Sequence, residues 1–438
     1  MRITHLPVND KTNGWSLILP HRAPNPALAG SMKADWVVVG AGYAGLAAAR
    51  RLAENRPDER IIVLEAGEAG ENASGRNSGF GIDLPHVVGS GQDDLASAHA
   101  YMRLSRAAID HLEDIVTRHG IACDWSRAGK YHAAVSRRGA EEMLDPFIAM
   151  LERVGEPHRV LDAAQTAAEL GTSYYHASVS TPGCVLMNPA GLSRGLADSL
   201  PGNVTLYENT PVIAYDRDNG VRLTTPSGSV VAPRMIVAVN AFAAQFGYWK
   251  GRLLPFEAQA SLTRPLDNDE HALIGKVKPW GLTPVNAFVS TTMRLTADRR
   301  IMIRYFLRYS PDQRTDPSRL AGIRAAHLKV LRSRFPRLKR LSLEHTWTGY
   351  VCLSRNNAPG FGKVDSNVWS AVCQNAVGVT KGTISGLLAA DLACGIDNPL
   401  IADMDSLGQP SSLPPRPVLD LGVRLRNAWD GWRGAYEY

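Results

Sequence analysis

The sequence predicts an α/β fold, α+β taken whole, in which a parallel Rossmann-type unit is interrupted by insertions. Three observations predict it. An apolar run, Trp36 to Val39, leads into Gly40, Gly42 and Gly45 at G-x-G-x-x-G spacing, then into an Ala- and Leu-rich helical stretch to about Glu54. A second apolar run, Ile61 to Leu64, ends on Glu65. Residues 204–309 are strand-rich and include another apolar strand, Met235 to Val239.

Each part of the opening unit has a physical job. Gly40 permits the tight turn out of the strand, Gly42 lets backbone approach a pyrophosphate, and Gly45 lets helix and strand pack closely. The helix N-terminus offers unpaired N–H groups to that phosphate. Glu65 can accept from ribose hydroxyls and would repel a 2′-phosphate, which disfavours NADP. A G-x-G-x-x-G alone also fits an ordinary turn; the strands, helix and acid around it make the dinucleotide reading.

Composition narrows the class. The 438 residues can bury a sizeable core, with 45% hydrophobic and 21% charged residues. Net charge is +6, but Lys and Arg are scattered, so no dense basic arm points to nucleic acid. Cys123, Cys184, Cys352, Cys373 and Cys394 lie far apart with no C-x-x-C, against a disulfide framework or a zinc site. The twelve histidines form no ligand cluster, so no metal is expected. Without an 18-residue apolar run or a leader-like start, a cytoplasmic protein with no transmembrane segment is the expectation.

The Pro- and Asn-rich residues 1–34 read as a draped arm. After Glu65 comes an irregular Gly/Ser/Asn loop, then a long helix over 93–119 and further helical stretches at 138–155 and 162–170. Residues 183–200 suit a short strand, a turn through Asn188-Pro189 and a helix. Asn219-Gly220 signals a hairpin, a helix is expected at 317–335, and another at Ile384–Cys394 follows a glycine-rich segment. Residues 418–436 form an amphipathic tail, expected to pack on the protein's own surface.

GAGYAGLAAARRLAE, VLEA and ASGRNSGF resemble the opening of the D-amino-acid oxidase-like FAD-dependent oxidoreductases, above all the branch of gamma-glutamylputrescine oxidase and monomeric sarcosine oxidase. MRLTADRRIMI (293–303), TGYVCLSRNNAPGFGKVDSNVW (348–369) and the Gly378–Gly386 segment extend the resemblance over about 30 to 395. It implies a discontinuous Rossmann-type FAD-binding domain (30–90, 185–245 and 340–405) and an inserted substrate domain on a large antiparallel or mixed sheet (91–184 and 246–339). Residues 1–29 are then an N-terminal arm and 406–438 a C-terminal tail.

The resemblance also implies site residues. Gly40, Gly42, Tyr43, Ala44, Gly45, Glu65 and Ala66 would hold the ADP part, with Val212 by the adenine. Ser74, Gly75, Arg76, Asn77, Ser78 and Gly79 would run beside pyrophosphate and flavin, and Asn240 where the chain passes the cofactor again. Gly378, Val379, Thr380, Lys381, Gly382 and Thr383 fall where the family sets a helix N-terminus against the flavin's N1 and C2=O. Cys352 aligns with a cysteine that sarcosine oxidase links to flavin, whereas gamma-glutamylputrescine oxidase lacks it, so non-covalent FAD is expected with a thioether as the other outcome. Lys381, Tyr305, Tyr350 and Arg355 are the catalytic or substrate-orienting candidates, Lys381 standing one residue past the family's carboxylate-binding lysine.

Together these imply oxidation of the C–N bond of a small amine or amino acid to an imine, with oxygen as acceptor and hydrogen peroxide released. The alternatives are a same-fold dehydrogenase serving a membrane quinone through the aromatic tail, a tRNA-modifying flavoenzyme, and an inactive flavin-binding subunit of a heteromer. Substrate identity and oligomeric state are not legible.

Overall fold

The computed structural model describes residues 1–85, 95–217, 220–286 and 290–437. Its centre is a six-stranded sheet in the order Gly360–Asp365, Val368–Val372, Arg234–Val237, Trp36–Val39, Ile61–Leu64, Val204–Tyr207. The last five run parallel, and Gly360–Asp365 is an antiparallel edge. Every residue of Trp36–Val39 and Ile61–Leu64 is buried, because both faces of the sheet are covered.

On one face lie helices α1 (Tyr43–Asn55), α2 (Leu95–His119), α3 (Pro189–Asp198) and α4 (Gly378–Cys394). Trp36, Val38, Ile61 and Val63 share a core with Leu46, Leu112, Leu192 and Leu388 from these helices. Val37, Val39, Ile62 and Leu64 point the other way, into a core closed by a four-stranded sheet carrying Leu223 and Val230. α2, which the expected division counts with the inserted segments, thus lies on the six-stranded sheet.

The second large sheet is eight-stranded and mixed: Leu343–Leu353, which the expected division counts with the FAD-binding segments, then Leu254–Thr263, Ile301–Tyr309, Thr292–Leu295, Trp280–Pro284, Lys130–Ala134, Ala177–Thr181 and Arg159–Leu161. Its pairs are antiparallel except where Trp280–Pro284 meets Lys130–Ala134.

The arm is ordered by specific contacts. Gly30–Lys33 pairs in parallel with Gly228–Val231, and Trp15 stands edge-on to Trp347 at 6.2 Å. Strands Ala214–Asp216 and Val221–Thr225 pair as the hairpin signal requires; Asn219 itself lies outside the described residues, as does His86 after the Gly/Ser/Asn loop.

Two expectations are corrected. α4 begins at Gly378, not Ile384, because its glycines are a packing device: a Cβ on Gly386 would lie 2.0 Å from the Ala44 carbonyl oxygen. The tail helix α5 (Val418–Arg433) does not bury an apolar face on the protein; none of its residues is buried. Its protein-facing half mixes Leu419 and Val423 with Asp420, Asn427 and Asp430, so the larger apolar stripe is left outward.

Candidate active site

The glycine turn is held in place by its own acid. Gly40 sits at φ +99°, donates to the Leu64 carbonyl at 2.8 Å, and its oxygen would lie 1.8 Å from a Cβ on Gly45. The Glu65 carboxylate accepts from Ala41 N at 2.7 Å, Gly67 N at 3.0 Å and Asn72 Nδ2 at 3.2 Å. Burial pushes its pKa up, against the lowering effect of these donors. Gly42 is the N-cap of α1 and provides no side-chain cap, so the first N–H groups of α1 are left to a ligand or to Ser74, whose Oγ accepts from Tyr43 N at 3.1 Å.

A two-part cavity runs past this turn. One part is lined by Gly40, Gly42, Glu65, Ala66 and Val212, the other by Tyr43, Ala44, Arg76, Asn77, Cys352, Gly378 and Gly382. Both are lined by Gly42, Ala73, Ser74, Ala238, Asn240 and Tyr350, which form the neck between them. Strands Leu254–Thr263 and Leu343–Leu353 roof the second part through Ala258 and Gly349–Cys352. A long ligand with an anion at its middle fits: the neck holds the uncapped helix end, and the first part holds the acid for a ribose.

Other expected residues support this cavity without lining it. Gly75 has no room for a Cβ, which would meet the Gly70 oxygen at 1.7 Å. Thr380 and Thr383 donate to the Ile82 and Val379 carbonyls, and Val379 is in the helical core. Arg294, which the sequence reading passed over inside MRLTADRRIMI, is buried and donates to Ser78, Gly79 and Met187 carbonyls at 3.2, 2.9 and 2.6 Å. It ties the loop at Ser78-Gly79 to the eight-stranded sheet.

Arg76 lines the cavity, but its guanidinium is engaged elsewhere: Glu71 O at 2.6 Å, Thr348 O at 3.0 Å and Asp10 Oδ1 at 2.6 Å. Tyr350 faces the neck, its hydroxyl 2.8 Å from Thr315 Oγ1. Thr315 donates to Glu257, a fully buried carboxylate that also takes Arg308 at 2.7 Å, Arg319 at 3.1 Å and Gln259 at 2.9 Å. Burial opposes its ionisation, yet these donors hold it below the usual carboxylate range. Sequence reasoning missed this cluster; the signal was an acid inside a strand that is otherwise buried, LPFEAQASLT.

Lys381, in the first turn of α4, is buried with its ammonium 5.3 Å from the Tyr101 ring centre, and burial lowers its pKa to about 8. Tyr305 stacks edge-on to His327 at 6.2 Å, outside the cavity lining, and Arg355 is exposed on the turn after Leu353. Cys352 is buried, and burial with the neighbouring Cys373 raises its thiol pKa.

A parallel sheet whose glycine turn opens into a long cavity under a second sheet defines a dinucleotide-dependent oxidoreductase. The model of the FAD dependent oxidoreductase family matches residues 35–392, and the chain belongs to that family. It is 29% identical to gamma-glutamylputrescine oxidoreductase of Escherichia coli over 85% of this chain and 86% of that protein. It is 26% identical to the probable oxidoreductase OrdL of Haemophilus influenzae, covering 91% and 92%. Among solved structures, glycine oxidase from Geobacillus kaustophilus superposes with a TM-score of 0.70 at 18% identity, covering 88% of this chain and all of that one. The enzyme is therefore FAD-dependent.

Proposed function

We propose that the enzyme oxidises the C–N bond of a small amine or amino acid and that oxygen is its electron acceptor. The observation that carries this is the second part of the cavity, which lies between strands Leu254–Thr263 and Leu343–Leu353 and the N-terminus of α4. Similarity to a gamma-glutamylputrescine oxidoreductase supports an amine. When bound, FAD supplies removal of hydride equivalents from the carbon beside nitrogen, leaving an imine that water hydrolyses, and peroxide when oxygen restores it.

The chain's own residues hold, orient and shield. Gly40, Gly42, Glu65, Ala66, Val212, Ser74 and Asn240 would hold the ADP part. Tyr43, Ala44, Asn77, Cys352, Gly378 and Gly382 would surround the ring, with the positive end of α4 favouring negative charge there. Tyr350, fixed through Thr315 and Glu257, is positioned to orient a substrate, and Lys381 is a buried titratable cation in the first turn of α4. Burial keeps Cys352 a protonated thiol, which supports non-covalent FAD. The division into a discontinuous FAD-binding domain and an inserted substrate domain belongs to this reading and is supported by the two large sheets.

The test is a panel of amines, amino acids and 2-hydroxy acids offered to purified, FAD-loaded protein, reading both peroxide and dye reduction. Turnover of an amine with stoichiometric peroxide is expected. Turnover of hydroxy acids alone would refute the substrate class, and dye reduction without peroxide would refute the acceptor.

A further inference from the structure

Helix α5 carries an apolar stripe that no other described residue covers. Val418, Leu421, Leu425, Trp429 and Trp432 are 54–72% exposed, while Leu419, Val423, Asn427 and Asp430 face the protein. At about 100° per residue the stripe is roughly 80° wide and about 21 Å long. Arg424 flanks it on one side, Arg426 and Arg433 on the other. The helix's two acids fall on the protein-facing half, where Asp420 takes the Tyr309 hydroxyl at 3.0 Å and Arg416 at 2.9 Å, and Asp430 takes Arg426 at 2.8 Å. Every charged side chain on the outward half is therefore an arginine.

We infer that α5 is a docking helix for an anionic lipid surface, lying flat with its stripe in the headgroup boundary. An apolar face bordered by arginines and closed by two tryptophans suits that boundary, where indole rings sit well and anionic headgroups meet the guanidinium groups. The helix does not cross: no helix among the described residues is long and apolar enough. A second copy fits worse. Pairing two such faces would set the arginine rows against each other, and one helix stripe is far smaller than the roughly 800 Å² per partner of a stable interface.

Co-sedimentation with vesicles tests this on the full-length FAD-loaded enzyme. Vesicles rich in phosphatidylglycerol should bind the protein at low salt and pure phosphatidylcholine vesicles should not. The exposed triple variant Leu421→Ser/Leu425→Ser/Trp429→Ser should weaken binding at least tenfold while dye-linked turnover stays unchanged. Arg424→Glu/Arg433→Glu should weaken it several-fold and remove the salt dependence. Equal binding to both vesicle types, or none to anionic ones, overturns the inference. So does a dimer in light scattering that the triple variant dissociates without any vesicle binding, which would assign the face to a second copy.

Discussion

Replacing Gly42 by valine separates holding the cofactor from holding the fold. Gly42 has φ −79° and ψ −178°, extended backbone that a β-branched residue adopts without strain. A Cβ there would lie 2.8 Å from Ser74 Oγ and have no other neighbour nearer than 3.9 Å, so turning the Ser74 side chain about its Cα–Cβ bond, at the expense of the hydrogen bond it accepts from Tyr43 N, relieves the contact. Apoprotein stability should change by under about 1 kcal/mol, because the stiffer residue also restricts the unfolded chain. The neck should nonetheless close. The isopropyl group would stand where an anion meets the first N–H groups of α1, and losing two charge-assisted hydrogen bonds at about 1.5–3 kcal/mol each weakens FAD by roughly 10²- to 10⁴-fold. Urea unfolding of the apoprotein with flavin-fluorescence titration measures both quantities. Unchanged FAD affinity in a folded Gly42→Val protein would refute the neck as the pyrophosphate site.

The next expectation concerns Lys381. Its folded pKa of about 8 lies below the usual lysine value of 10.5, so the unfolded chain binds more protons between those pH values and stability should rise with pH across that window. Lys381→Met should abolish that share of the rise and be more stable at pH 7 by a few kcal/mol, read from denaturant midpoints; a variant with the same pH slope as the parent would refute it. For Cys352, acid precipitation should leave a yellow supernatant and a colourless pellet, whereas a yellow pellet that Cys352→Ser decolours would overturn non-covalent FAD. In stopped flow, air should reoxidise the reduced enzyme within seconds, and reoxidation over minutes beside fast quinone turnover would establish the dehydrogenase.

What could be read in advance was what is local. Strand, glycines, helix and Glu65 are contiguous, and their chemistry is set by spacing. Tyr305 shows where such reading stops. Between Ala258 and Ala260 the strand pair slips register, and Phe306 opposite sits at φ +72°. That bulge breaks the inward–outward alternation, so which side chain meets the cavity is decided by pairing partners far away in sequence. Glu257 was hidden for the same reason: its arginines come from 308 and 319 and its hydroxyl from 315. The tail was misread because amphipathicity says that one face is apolar, not what lies against it.

The engagement of Arg76 gives the N-terminal arm a role beyond packing. Asp10 answers a guanidinium that is almost wholly buried at the cavity wall, and the arginine in turn lowers the Asp10 pKa against the effect of burial. The arm is thus a counter-ion delivered from outside the six-stranded sheet, and it offsets the Arg76 charge beside the second part of the cavity. Removing the Asp10 carboxylate alone would leave the buried Arg76 charge unanswered at the wall of the second part of the cavity, changing which ligands the field there favours.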